Sequence, residues 1–152
     1  MTHLKAGDKA PDFNSLNEHG EEVKLSDYKG KKLILFFYPK DNTPTCTTEV
    51  CNLRDNYDDL KQKGYELLGV SADSARKHKN FIKKYQLPFP LIADTEHKLL
   101  EDYGVWGPKK MFGLSFDGIY RTTMVIDEEG IIEKVITKVT AKDHAAQILE
   151  GV

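Results

Sequence analysis

The run Leu33-Ile34-Leu35-Phe36-Phe37-Tyr38, closed by Pro39 and followed by Lys40-Asp41-Asn42-Thr43-Pro44-Thr45-Cys46, decides how this chain is read. Six consecutive apolar residues rich in β-formers, bounded by Lys31-Lys32 and Pro39, describe a central strand buried on both faces. Lys40-Asp41-Asn42 is then a polar loop, and Thr43-Pro44 signals a helix start: a capping hydroxyl, then proline at the first helical position. Val50, Leu53, Tyr57 and Leu60 recur at helical spacing, which predicts one helix from Pro44 to Lys63 with Gly64 at its C-terminal end.

Upstream of this unit, Asp12–Leu16 and Glu22–Leu25 flank Asn17-Glu18-His19-Gly20 and read as a small hairpin, followed by a turn over Asp27–Gly30. Downstream, Tyr65–Ser71 and Phe89–Asp94 are strands, while Ser74–Tyr85 and Glu96–Tyr103 are helices. Arg121–Asp127 and Ile131–Ile136 form a hairpin across Glu128-Glu129-Gly130, and Ala141–Leu149 is a closing helix. The alternation of strands and helices predicts an α/β fold: a mixed central sheet with helices on both faces and an N-terminal hairpin. Sites in such sheets form beyond the carboxyl ends of the strands, where Cys46 falls.

At 152 residues the chain is expected to be a single domain, residues 1–152. Leu, Ile, Val and Phe supply 39 of those residues, enough to fold and to bury a sizeable core. With 22 basic against 24 acidic side chains, no charge excess points to nucleic acid or an anionic membrane. No apolar run approaches the roughly 20 residues of a membrane span, and Met1–Asp8 carries no apolar signal region, so a cytoplasmic location is expected. Two cysteines neither staple a scaffold nor ligate zinc by themselves. The five histidines lack metal-ligand spacing and read as surface residues, so neither metal nor cofactor is expected.

The cysteines, at 46 and 51, carry the chemistry. Cys46 would be the third residue of its helix, among unpaired N–H groups at the positive end of the helix dipole, an environment that favours thiolate over thiol. Thr43 and Thr45 add hydroxyls within one turn. A buried cysteine that only fills space is the competing reading. Five residues of helix separate the two Cα atoms by roughly 8.6 Å, beyond the ~7 Å reach of a disulfide. The pair can therefore bond only if the helix start unwinds, and a transient redox bond fits better than a structural staple.

Pro39-Lys40-Asp41-Asn42-Thr43-Pro44-Thr45-Cys46 resembles the Pro-x-x-x-Thr-x-x-Cys motif of peroxiredoxins. The following Cys46-Thr47-Thr48-Glu49-Val50-Cys51-Asn52-Leu53-Arg54-Asp55 is similar to the bacterioferritin-comigratory, or peroxiredoxin Q, subfamily. Ala6–Phe13, Gly69–Asp73, Tyr103–Gly107 and Arg121–Asp127 extend the likeness over nearly the whole chain; Thr45 stands where the subfamily often has glycine. The resemblance implies a thioredoxin-like fold and reduction of hydrogen peroxide and organic hydroperoxides. It implies that Cys46 is the peroxidatic cysteine and Cys51 the resolving one, with thioredoxin or a similar dithiol protein as reductant. Thr43 would bond the peroxide, Pro39 would shield the sulfur, Arg121 would stabilise the thiolate, and the protein would be a monomer.

Independently of the resemblance, an arginine starting an interior strand calls for an anionic partner. Glu49 is read as a solvated first-turn carboxylate, with a part in proton handling near Cys46 as the alternative. Trp106, Phe112 and Phe116, in a glycine-punctuated loop, read as core or loop anchors rather than walls of an apolar entrance. Two other functions remain open on the same residues: a general thiol–disulfide oxidoreductase, for which a Cys-x-x-Cys pair would be better spaced, and a redox-sensing interaction protein. Catalytic peroxide turnover separates the peroxidase from both.

Overall fold

The computed structural model describes residues 1–151. Its centre is a five-stranded sheet in the order β5-β4-β3-β8-β9, built from β3 (Lys32–Phe37), β4 (Tyr65–Ser71), β5 (Leu91–Ala93), β8 (Thr122–Ile126) and β9 (Ile132–Ile136). β3, β4 and β5 run parallel, and β8 and β9 continue the sheet antiparallel. A hairpin of β1 (Asn14–Leu16) and β2 (Glu22–Lys24) precedes it. The mixed α/β architecture with an N-terminal hairpin is as expected, and Leu33–Tyr38 are all buried at its middle.

Alternation along the strands builds two cores. Leu33, Leu35, Phe37, Leu68, Val70, Met124 and Ile126 point to one face, covered by α4 (Lys98–Asp102), Tyr103 and the N-terminal segment. Ile34, Phe36, Tyr38, Leu67 and Val125 point to the other. That second face is covered by α1 (Pro44–Asp55), α2 (Tyr57–Gln62), α3 (Ala75–Tyr85) and α5 (His144–Leu149). Among the described residues no helix is long and apolar enough to cross a membrane.

Several expectations need correction. The helix predicted over 44–63 is broken at Asn56, whose side-chain amide and backbone N–H both go to the Asn52 carbonyl, at 2.8 and 3.2 Å. The side-chain amide shares the carbonyl that the helical N–H uses, and the backbone at Asn56 leaves helical values, with φ −106° and ψ 10°. The closing helix likewise opens with a 3₁₀ turn, Ala141–Asp143, before α5 begins at His144. The strand expected from Arg121 starts one residue later, at Thr122.

The glycine-punctuated loop after Tyr103 is a hairpin, β6 (Trp106–Met111) with β7 (Leu114–Ile119). Its turn is Phe112-Gly113, both at positive φ (53° and 78°), the two-residue geometry that matches strand twist. Trp106 does act as an anchor, stacked on His97 with ring centroids 3.9 Å apart. Phe112 and Phe116 do not: they are 97% and 44% exposed.

Candidate active site

Register brings the site together. β3 and β8 pair so that Phe37 faces Thr122, which puts the residue before β8 at the carboxyl end of β3. That residue is Arg121, and the chain leaving β3 turns into α1 at the same end. Thr43 is the N-cap residue of α1 and Pro44 its first helical residue, so Cys46 lies in the first turn as expected. Its N–H is one of the four that a helix start leaves without an intrahelical acceptor.

Cys46 is 1% exposed, and its Sγ accepts a hydrogen bond from Arg121 Nη2 at 3.2 Å. The other terminal nitrogen, Nη1, donates to Glu49 Oε1 at 2.6 Å. A guanidinium is a planar fork, so one arginine serves a sulfur and a carboxylate one helical turn apart. Burial works against the Arg121 cation, but Glu49 and Cys46 outweigh it and raise its pKa. Burial pushes the Glu49 carboxyl up to about 7, with Arg121 pulling the other way.

Glu49 is thus no solvated first-turn residue: it lies in the second turn and is completely buried. The reading of all five histidines as surface residues also fails, because His78 and His144 have no exposure. His144 stands on α5 with Nε2 3.5 Å from Glu49 Oε2 and 2.7 Å from Thr123 Oγ1. Burial lowers its pKa, and the Arg121 charge lowers it further against the pull of Gln147. Asn52 holds α5 here, donating to the Lys142 carbonyl and accepting from Ala145 N–H, both at 2.8 Å. Sequence periodicity carried no sign of Asn52 or His144, since each acts across about 90 residues of chain.

Of the residues singled out in the sequence, Cys46 and Arg121 are in direct contact. Thr43 is half-buried and its hydroxyl donates to the Lys40 carbonyl at 2.8 Å, closing the loop ahead of α1 rather than capping the helix. Pro39 is half-buried at the end of β3. Cys51 is half-buried, packs against the α1 face of the core, and is a free thiol like Cys46. With both cysteines on the intact α1, helical geometry keeps their Cα atoms about 8.6 Å apart.

A second buried cluster anchors the start of the loop. Asp41 accepts from Tyr38 Oη at 2.6 Å and pairs with His78 Nδ1 at 2.6 Å, while His78 Nε2 meets the Ile92 carbonyl at 2.8 Å. Asp73 accepts from the Asp41 N–H at 2.8 Å and from Ser71 Oγ at 2.7 Å. Asp41, Asp73 and His78 offer atoms close enough together to hold an ion, but those atoms are engaged with one another and with their neighbours.

A partly buried thiol-and-arginine site at a helix start, on this fold, has known counterparts. The AhpC/TSA family profile matches residues 6–135. Peroxiredoxin Bcp of Bacillus subtilis (strain 168) is 50% identical over 147 residues, 97% of this chain and 94% of that protein. Peroxiredoxin Bcp of Escherichia coli (strain K12) is 42% identical over 149 residues, 98% of this chain and 96% of that one. The structure of a cysteine-to-serine mutant of Xanthomonas campestris peroxiredoxin Q superposes with a TM-score of 0.88 at 33% identity, covering 96% of each chain. The chain therefore belongs to the AhpC/TSA family as a peroxiredoxin of the Bcp (peroxiredoxin Q) type, a thioredoxin-like enzyme that reduces peroxides with electrons from thiols.

Proposed function

We propose that Cys46 is the peroxidatic cysteine and Cys51 its resolving partner. The Cys46 thiolate attacks one oxygen of the peroxide; the S–O bond forms as the O–O bond breaks, and the departing hydroxide or alkoxide takes up a proton. Cys51 then attacks the sulfenic sulfur, water leaves, and the two sulfurs are joined after giving two electrons to the peroxide. The observation that carries this reading is the Arg121 Nη2 donor 3.2 Å from a buried Sγ. A donor fixed beside the reacting atom stabilises the thiolate and the charge that develops as the O–O bond opens.

Thr43 and Pro39 take the roles their motif positions carry in the family: Thr43 bonds the bound peroxide once its hydroxyl turns from Lys40, and Pro39 screens the sulfur from water. Resolution requires the first turns of α1 to unwind, since an intact helix keeps the thiols out of bonding range. Hydrogen peroxide and organic hydroperoxides are the substrates, and thioredoxin or a similar dithiol protein returns the disulfide to two thiols. The protein works as a monomer in the cytoplasm, where the reducing glutathione and thioredoxin pools keep such thiols available.

The test treats reduced protein with one equivalent of hydrogen peroxide and follows free thiols and intact mass. Both thiols should disappear rapidly with a loss of about two daltons, the two hydrogens of a new disulfide. Cys46→Ser should abolish the reaction, and Cys51→Ser should stop at a sulfenic or over-oxidised sulfur. Wild-type thiols that persist for minutes in micromolar peroxide would end this reading.

A further inference from the structure

The charges around Cys46 do not balance on their own. Glu49 is wholly buried, Cys46 is 1% exposed, and both depend on the single guanidinium of Arg121. With thiolate and carboxylate both ionised, two anions share one cation in a site with little water. The start of α1 contributes about half a positive charge at Cys46, short of a second counter-ion. Buried groups in that position take up a proton rather than keep an uncompensated charge.

Glu49 Oε2 shows where the proton belongs. It is the one fully buried side-chain polar atom without a hydrogen-bond partner among the described residues, and His144 Nε2 lies 3.5 Å from it. His144 Nδ1 faces Gln147 Oε1 at 2.9 Å, and that oxygen also accepts from Thr140 N–H, so Nδ1 carries the ring proton. Nε2 is left to accept from Thr123 Oγ1, and Oε2 is left with no donor. A single added proton, held between Oε2 and Nε2, gives Oε2 its missing hydrogen bond and cancels the surplus negative charge, the Thr123 hydroxyl rotating away from Nε2. The charged and titratable groups meeting here are Arg121 from the approach to β8, Cys46 and Glu49 from α1, and His144 from α5; Thr123 and Gln147 are neutral.

We propose that Glu49 and His144 jointly hold one proton whenever Cys46 is a thiolate, which makes His144 a positioning residue acting on Cys46 through Glu49 and Arg121. The inference rests on Cys46 being the reactive thiolate. The stored proton is the one Cys46 gives up on ionising, kept inside the protein instead of lost to water. Once the sulfur bonds to oxygen and ceases to be an anion, Arg121 turns wholly to Glu49 and the pair lets its proton go, at the moment the departing oxygen gains charge. The raised pKa of Glu49 agrees with such a store.

Cys51→Ser protein, in which Cys46 is the sole thiol, tests this with methyl methanethiosulfonate. The thiolate attacks the reagent's sulfenyl sulfur, a neutral methyl disulfide forms, and methanesulfinate leaves with the electron pair without binding a proton. The reaction is run in weak buffer with an indicator dye at about pH 8, above the pH at which Glu49 titrates beside a neutral Cys46. Thiolate absorbance at the same pH gives the fraction of Cys46 already ionised. Protons released beyond the un-ionised fraction should approach one per ionised Cys46. Glu49→Gln on this background should bring that excess to near zero, and His144→Gln should move its pH window down by about one pH unit. An excess of zero before any further substitution overturns the proposal, as does an excess that survives Glu49→Gln. An unmoved window in His144→Gln removes His144 from it. Absence of any thiolate absorbance overturns the assignment of Cys46 as well, whereas thiolate without excess protons overturns the stored proton alone.

Discussion

On one side of the loop that leads into α1, Asp41, Asp73, His78, Tyr38 and Ser71 form a buried polar cluster in which hydrogen bonds join every member. On the other side, Glu49, Arg121, His144 and Thr123 form a second cluster of similar composition that leaves Glu49 Oε2 unpaired and spends one arginine nitrogen on a sulfur. Both set a histidine against a carboxylate with almost no exposure. A completed network fixes backbone in place, because each member loses a partner if the loop moves. An incomplete one retains a capacity to take up charge or a proton, and it stands beside the cysteine. On the proposed assignment of Cys46, the first cluster holds the loop and the second serves the chemistry.

The comparison predicts opposite phenotypes. His78→Leu removes one of the two side-chain partners of the buried Asp41 carboxyl and should destabilise the fold by about 1–3 kcal/mol in urea unfolding, the usual cost of leaving a buried polar group short of a hydrogen bond. Peroxide turnover per folded molecule should fall far less than in Arg121→Met; unchanged stability would show that the cluster is no anchor. Arg121→Met should do the reverse, cutting turnover by roughly 10²–10³-fold, as loss of a transition-state donor does. Its unfolding midpoint should move far less than that of His78→Leu, because burial already raises the Glu49 carboxyl, which can take up a proton when the guanidinium is lost.

A third, smaller effect is read by pH. With Cys46 blocked as its neutral methyl disulfide, the folded protein holds a proton on Glu49 up to about pH 7, whereas an ordinary glutamate loses it near 4.5. The stability this adds, relative to Glu49→Gln, should be complete below about pH 4.5 and should decline as pH rises to about 7. The loss is on the order of 3 kcal/mol and comes from the folded state alone keeping the proton in that window. A difference that grows with rising pH would mean that Glu49 is stabilised as an anion. The smallest effect should come from a residue in neither cluster: Phe112→Ser, at the exposed tip of the β6–β7 hairpin, should change stability by no more than about 0.5 kcal/mol.

The strand, the helix start and the Arg121 partnership were legible in the sequence, the two buried clusters were not, and both outcomes have physical causes. The run Leu33–Tyr38 announces a strand buried on both faces because apolar residues at every position leave no solvent side. Thr43-Pro44 announces the start of α1 because proline tolerates only that place in a helix. The partnership of Arg121 with an anion follows from its place at the head of an interior strand. What stayed hidden were pairings between helices distant in sequence on one face of the sheet: Glu49 looked like a surface residue of a polar helix, and nothing near His144 in sequence shows that α5 is tied to α1 through Asn52. The β6–β7 hairpin was missed because Gly107, Pro108 and Gly118 interrupt the alternation that marks a strand, although Phe112-Gly113 supplies a turn of hairpin type.

The central claim is mechanical as well as chemical: the anchored loop stays in place while the first turns of α1 come apart to join Cys46 to Cys51. Amide hydrogen exchange on the reduced and disulfide forms reads both halves at once. Protection should fall from Cys46 through Cys51 in the disulfide form, while the amides of Tyr38, Asp41 and His78 keep theirs. Protection of α1 that is equal in the two forms, with the disulfide verified by mass, would contradict it.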